Sequence, residues 1–197
     1  LNQSLIIETD DPTELSGGEI DISLNLEFTV RDTDTRNFRR KDLRNGYALE
    51  LVLNIKKLIS GETLLDNLND NGKGFRLFIN GDTTLELMLS DGQTRNHWTL
   101  QRGVLKPDSS SHIVINIDGG PRIVSAVVNG AFMDGAEDRQ FGWSRFSPHL
   151  RDISGSGTVK TAPDFSGTID LLRIYGRYLL TNEAVLLYKN QTVSHSP

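Results

Sequence analysis

Cysteine is absent from the sequence, so no disulfide frames the fold and no thiolate can serve as a nucleophile. Nothing about redox compartment can be read from thiols either, because a chain of 197 residues can bury a core that needs no such staples. No run approaches the roughly 18–20 consecutive apolar residues of a membrane-spanning helix, so membrane insertion is not expected. Positive charge is in the minority, with 21 Lys and Arg against 26 Asp and Glu and a net charge of −5. A nucleic-acid footprint needs a concentrated basic stripe. The one basic cluster, Arg36–Arg44, is flanked or interrupted by Asp32, Asp34 and Asp42 and reads as a solvated loop, so nucleic acid is not an expected partner. No signal-peptide pattern is visible, yet the chain begins at Leu1 rather than Met. The expectation is a processed or trimmed piece, secreted, periplasmic or at the cell surface, whose leader is missing. Asn2-Gln3-Ser4 and Asn190-Gln191-Thr192 fit the glycosylation acceptor pattern, one short enough to recur by chance.

What the sequence does contain is period-two alternation. Ile20–Val30 places Ile20, Ile22, Leu24, Leu26, Phe28 and Val30 at every second position, and Tyr47–Ile55 does the same with Leu49, Leu51, Leu53 and Ile55. Both are expected as strands with one buried face. Leu5–Ile7 is a short edge-strand candidate, and Thr63–Leu65 and His97–Leu100 are further short strands. Asn80-Gly81-Asp82 joins Phe75–Ile79 to Leu85–Leu89 in a hairpin, and Asp118-Gly119-Gly120-Pro121 joins Ile113–Ile117 to Ile123–Val128 in a second. The stretch Met133–Phe165 is long, loop-like and rich in Gly, Ser, Asp and Arg. Helix is suggested at the C-terminal end, where Thr181 is an N-cap candidate, Glu183 sits in the first turn, and Val185, Leu186, Leu187 and Tyr188 form an apolar stripe. Leu43–Tyr47 is a second, weaker helical candidate. Many short strands divided by turns, without βαβ alternation or an internal repeat, predict one all-β sandwich spanning residues 1–197.

The closing stretch Phe165–Asn190 reads FSGTIDLLRIYGRYLLTNEAVLLYKN, a strand alternating through Ile169, Leu171 and Ile174 and then the short helix. Its F-x-G-x-I-D-x-x-R-I-Y order resembles the end of laminin-G-like domains, which belong to the concanavalin A-like lectin and glucanase fold. Upstream, His112, Asp118-Gly119 and Val128-Asn129-Gly130 match the order of that family's His-containing strand, Asp-Gly turn and V-x-G turn, so the resemblance covers roughly Ser111–Asn190. It implies a two-sheet antiparallel jelly roll with a short C-terminal helix. It also implies a structural calcium as cofactor at Asp170, held otherwise by backbone carbonyls, and a polysaccharide or glycan, or alternatively a protein, as partner.

Candidate chemistry divides into catalysis, metal binding and ligand contact. Gly18-Glu19-Ile20-Asp21-Ile22 is similar to the E-x-D-x-E strand of laminarinase-type glycoside hydrolases, in which alternation puts the acids on one face. Ser23 or Leu24 stands where the second glutamate belongs, so no catalytic residue is assigned. No G-x-S-x-G elbow or H-E-x-x-H motif occurs, and His97, His112, His149 and His195 lack zinc-ligand spacing. The Asp66–Gly74 loop offers calcium-type oxygens from Asp66, Asn67, Asn69, Asp70 and Asn71 but reads better as a polar hairpin loop. For a sugar ligand, an exposed aromatic beside hydrogen-bonding groups is the pattern to seek, because sugar C–H faces stack on flat rings. Trp98 with Asn96, and Trp143 with Arg145 and His149, fit it; the alternative is that each Trp caps the core. The expectation is a non-catalytic carbohydrate-binding module, with a glycoside hydrolase or an adhesive protein-interaction domain on the same fold as the alternatives.

Overall fold

The structure, a computed structural model, describes residues 4–7, 18–21, 46–135, 142–162 and 164–194. Its strands are β1 (Ser4–Ile7), β2 (Gly18–Asp21), β3 (Gly46–Ile55), β4 (Thr63–Asp66), β5 (Lys73–Ile79), β6 (Leu85–Asp91) and β7 (Arg95–Thr99). They continue as β8 (Ser109–Asp118), β9 (Ile123–Val128), β10 (Ala131–Phe132), β11 (Trp143–Arg145), β12 (Thr158–Thr161) and β13 (Gly167–Tyr175), closing with helix α1 (Thr181–Ser194). Sheet A runs β1-β13-β3-β8-β9-β10 with β11 also on β9, and sheet B runs β2-β12-β4-β5-β6-β7. Every pairing is antiparallel. This is the expected two-sheet sandwich with a C-terminal helix.

Alternation builds the core. Tyr47, Leu49, Leu51, Leu53 and Ile55 of β3 and Ile113, Ile115 and Ile117 of β8 face Phe75, Leu77 and Ile79 of β5 and Leu85, Leu87 and Leu89 of β6, all at 0–1% exposure. Each such side chain contributes about 1.5–3 kcal/mol by leaving water. The Tyr47 and Phe75 rings meet across the sheets, 5.7 Å between centroids.

The central strands of sheet A are buried on their outer face as well, because α1 lies over them. Ala48, Val114 and Val127 pack there with Leu179 and Ala184. The helix starts one residue earlier than Thr181 implied: the Ala184 amide donates to the Leu180 carbonyl, and Glu183 accepts from the Leu180 amide at 2.7 Å. Leu180 therefore occupies the cap and Glu183 supplies one half of a capping box. The Arg177 guanidinium holds that carboxylate by a fork, with both bonds at 2.9 Å. Of the expected apolar stripe, Val185 and Leu187 pack inward while Leu186 is exposed.

Three differences from the sequence reading have local causes. Tyr47 belongs to β3 rather than to a helix, because its ring fills the core; Leu43–Asn45 lie outside the described residues, as does the continuation of the Ile20–Val30 strand beyond Asp21. The Met133–Phe165 stretch contributes β11 and β12, each of four residues or fewer, and Ala131–Phe132 forms β10. Such short strands carry too few alternations to show a period. The stretch is tied down by Asn67, which is 1% exposed: it accepts from the amides of Phe75 and Ser156 and donates to the Ser154 carbonyl. The Asp66–Gly74 loop is thus a β4–β5 hairpin connection with a structural amide at its centre. Lys73 adds an ion pair to Asp152.

Candidate functional site

The residues expected to contact a ligand fall in two places. Trp98 lies in the core at 3% exposure, opposite Leu87 in the β6–β7 ladder, so its ring presents no face for stacking and it is corrected to a core residue. Inward alternation from β7 puts it there. Asn96 shares that inward face and its Oδ1 accepts from the Ser147 amide at 2.8 Å. Asn96, Trp98 and Arg145 line a void of only about 10 Å³, room for at most one water. Trp143 and Arg145 share the outward face of β11, with the guanidinium 5.9 Å from the half-buried Trp143 ring. His149 is exposed, in a loop whose Ser147 hydroxyl accepts from its amide.

The sixth residue, Asp170, lies elsewhere, in a cleft of about 620 Å³ on the outer face of sheet A. That volume is within the usual range for small-ligand sites, about 300–1,000 Å³. Val52, Asn54, Ser110, His112, Asn129, Asp170, Leu171, Tyr188 and Gln191 line it. Strand register explains the assembly. Asn54 pairs with Ser110 and Val52 with His112 across β3 and β8, while Leu171 of β13 pairs with Val52. A register shift between Ile169 and Leu171 leaves Asp170 as an extra residue, a bulge that lets two consecutive residues line one cleft. It also turns Leu172, not Leu171, into the core, correcting the alternation expected for this strand.

Tyr188 of α1 forms one wall. Its ring centroid is 5.8 Å from that of His112 and it lies against the Asn129-Gly130 turn. Both turn residues have positive φ, +48° and +75°, the requirement of a tight two-residue hairpin. A Cβ on Gly130 would stand 2.6 Å from the Tyr188 ring. Asn129 also clamps the floor: its amide donates to the His112 carbonyl and its Oδ1 accepts from the His112 amide.

Beneath the floor lies a buried polar network. Glu50 is fully buried; His112 Nε2 is 2.9 Å from its Oε1, and the Tyr175 hydroxyl and Arg173 Nη1 donate to its Oε2. Burial pushes the Glu50 carboxyl up, but the hydrogen bonds from His112 and Tyr175 and the Arg173 charge together hold it below the usual range. Burial and the adjacent carboxylate push the Tyr175 hydroxyl up, so it stays a donor. An ionised Glu50 only accepts, which places a proton on His112 Nε2; Nδ1 is buried, with no hydrogen-bond partner in the protein. On Asp170, the Thr168 hydroxyl donates to Oδ1 at 2.6 Å, leaving Oδ2 for a ligand. Among the described residues, no three His or acidic side chains converge as a metal site, so an ion at Asp170 would rely on neutral oxygens such as those of Asn54 and Ser110.

A family-level comparison matches residues 31–185 to the concanavalin A-like lectin/glucanases superfamily. The chain belongs to that superfamily. Comparison with curated protein sequences returns no match. Among solved structures, the chain is similar to the Ruminococcus gnavus IT-sialidase CBM40 bound to α2,3 sialyllactose, at 14% identity and a TM-score of 0.57, covering 95% of this chain and 97% of that one. It is also similar to the binding domain of botulinum neurotoxin DC in complex with rat synaptotagmin II, at 16% identity and a TM-score of 0.56, covering 74% of this chain and 35% of that one. The botulinum neurotoxin serotype G binding domain gives 14% identity and a TM-score of 0.59, over 76% and 37% of the two chains. The chain therefore spans about a third of the length of the neurotoxin domains. At these identities the likeness establishes the fold.

In this superfamily member the sequence reading singled out Asp170 but missed Asn54, Ser110 and Tyr188, and gave His112 no place in a site. The available signal was the polar half of the β3 and β8 alternation, where Asn54, Ser110 and His112 share an outward face. What alternation cannot say is that a helix will wall that face. No helix among the described residues is long and apolar enough to cross a membrane.

Proposed function

We propose that this chain is a non-catalytic glycan-binding module whose ligand occupies the cleft between sheet A and α1. The carrying observation is the cleft's composition: an aromatic wall from Tyr188, an apolar floor from Val52 and Leu171, and a polar row of Asp170, Asn54 and Ser110 across three adjacent strands. A sugar ring has the matching character, with C–H faces for the aromatic and hydroxyls for the row. The sialyllactose-bound neighbour of the same fold supports the class of ligand. The described lining holds one carboxylate, whereas most glycoside hydrolysis uses a pair. Glu50 is sealed by its three partners. Glu19 and Asp21, on β2, pair with Lys160 and Thr158 of sheet B.

A glycan array with wild type, Asn54→Ala and Trp143→Ala tests the reading. Asn54 is exposed, so its loss spares the fold. Binding lost in Asn54→Ala and kept in Trp143→Ala supports the cleft; the reverse moves the site to the Trp143–Arg145 edge, and silence toward every glycan defeats the proposal. A structural calcium at Asp170 is a separate proposal, and its low-charge donor set implies weak affinity. A chelator-sensitive melting temperature that becomes insensitive in Asp170→Asn would support it. A protein partner is the second reading, favoured by exposed Leu186 on α1 and Phe132 on β10, elements that touch. Protein capture lost in Leu186→Glu with glycan binding intact would support it.

A further inference from the structure

The one carboxylate lining the cleft among the described residues carries the glycan reading one step further. Asp170 lines the cleft, and with the Thr168 hydroxyl on Oδ1 its carboxylate keeps Oδ2 as an acceptor for a ligand. His112, 3% exposed, is bonded through Nε2 to Glu50 and places its ring, with Nδ1 buried, at the cleft floor. A ligand hydroxyl can donate to the Asp170 carboxylate. A ligand carboxylate cannot, and it would enter beside the Asp170 charge. The remaining polar lining, Asn54, Ser110, Asn129 and Gln191, is neutral and serves either kind of ligand equally.

We infer that the cleft selects neutral, hydroxyl-rich sugars over sialylated ones, and that Asp170 is the residue that sets this preference. The inference rests on the glycan-binding reading and parts company with the sialyllactose-bound neighbour in the class of sugar taken. Hydrogen bonds to an ionised partner are the strong ones, so losing the Asp170 contact has a measurable expected effect, about tenfold in affinity.

The test is an array on which each neutral glycan is printed beside its sialylated version, followed by titration of the best pair. Wild type is expected to bind the neutral member about tenfold or more tightly. Asp170→Asn, checked for an unchanged melting temperature, should weaken the neutral member and narrow the ratio. Should that variant prove unstable, Ser110→Lys does the converse at an exposed rim position, raising the sialylated member toward the neutral one. The His112 ring resonances should move when the neutral glycan binds, because that ring lines the cleft. A wild type that binds the sialylated member as well as or better than the neutral one, while shifting the His112 resonance, overturns the selectivity and leaves the cleft as the site. An unchanged ratio in both variants removes Asp170 as its cause. Binding that leaves the His112 resonance still overturns the location, and no binding to any glycan brings down the glycan reading and this inference together.

Discussion

Among the described residues are two Glu–His pairs on outward sheet faces, and they differ in almost everything but chemistry. Glu50 and His112, on β3 and β8 of sheet A, are 0% and 3% exposed beneath α1. Glu86 and His97, on β6 and β7 of sheet B, are 16% and 51% exposed, with His97 Nδ1 2.7 Å from Glu86 Oε1. Glu50 needs three partners, His112, Tyr175 and Arg173, to remain ionised without water. Glu86 has His97, the Asn80 amide at 3.1 Å and some access to solvent. Alternation generates both outward positions identically. The cover decides whether the pair becomes part of the frame or a solvated decoration.

Removing the buried carboxylate is the largest expected effect. Glu50→Gln puts an amide donor against the Tyr175 hydroxyl and the Arg173 cation, leaving the cation uncompensated, and should cost about 3–5 kcal/mol in urea unfolding. The pH dependence has a definite sign. The folded-state pKa of Glu50 is lowered, so its contribution is fully present above the unfolded value of about 4.3 and is lost as pH falls through the folded value. The gap between wild type and Glu50→Gln should therefore be flat near neutrality and close in acid. A loss under about 1 kcal/mol would place the buried pair in the class of surface pairs and erase the contrast.

Asp118 separates burial from partnership. It ends β8, its carboxyl accepts from the Gly120 amide at 3.0 Å, and burial raises its pKa to about 6. Here the acid binds its proton more tightly when folded, so stability falls as pH rises between about 4 and 6. Asp118→Asn keeps the acceptor for Gly120 and should gain about 1–3 kcal/mol at pH 7, with no gain below about pH 4. If the gain persists unchanged in acid, charge burial is not its source.

Much of this was legible beforehand, and the limits are instructive. The alternating leucines of β3, the two Gly-containing hairpins and the closing strand and helix all announced the sandwich, because local period reports which face is buried. The bulge at Asp170 was not read: the sequence reading puts Ile169, Leu171 and Ile174 on one face, whereas the core receives Ile169, Leu172 and Ile174. Trp98 was ambiguous because a five-residue edge strand does not say which of its faces turns inward. The cleft was illegible as a unit: Asn54, Ser110 and Asp170 meet only through β13–β3–β8 register, and Tyr188 arrives from a helix whose docking depends on tertiary packing.

Lifting the cover is the next smaller test. Gly130→Ala places a side chain at φ +75° and a Cβ 2.6 Å from the Tyr188 ring. Gly103 has a similar φ of +72° with nothing within 4 Å of its would-be Cβ, so Gly103→Ala carries the backbone cost alone, roughly 1–2 kcal/mol. Gly130→Ala should exceed it, and the excess measures what Tyr188 contributes as lid of the buried pair. Equal losses would mean that the Tyr188 ring swings aside freely, and the aromatic wall of the cleft would then be a soft one.

Breaking the exposed pair should do least. Glu86→Gln retains an oxygen for the Asn80 amide and releases a histidine that is half in water already, so the expected loss is about 0.2–1 kcal/mol. Salt provides the internal control: at about 1 M ionic strength the screening length shrinks to roughly 3 Å, and the difference between wild type and Glu86→Gln should vanish while that for Glu50→Gln survives. Salt-insensitive penalties at both positions would show that Glu86 acts through packing against its strand neighbours rather than through its charge, and the open face of sheet B would then hold its glutamate as firmly as the covered face of sheet A does.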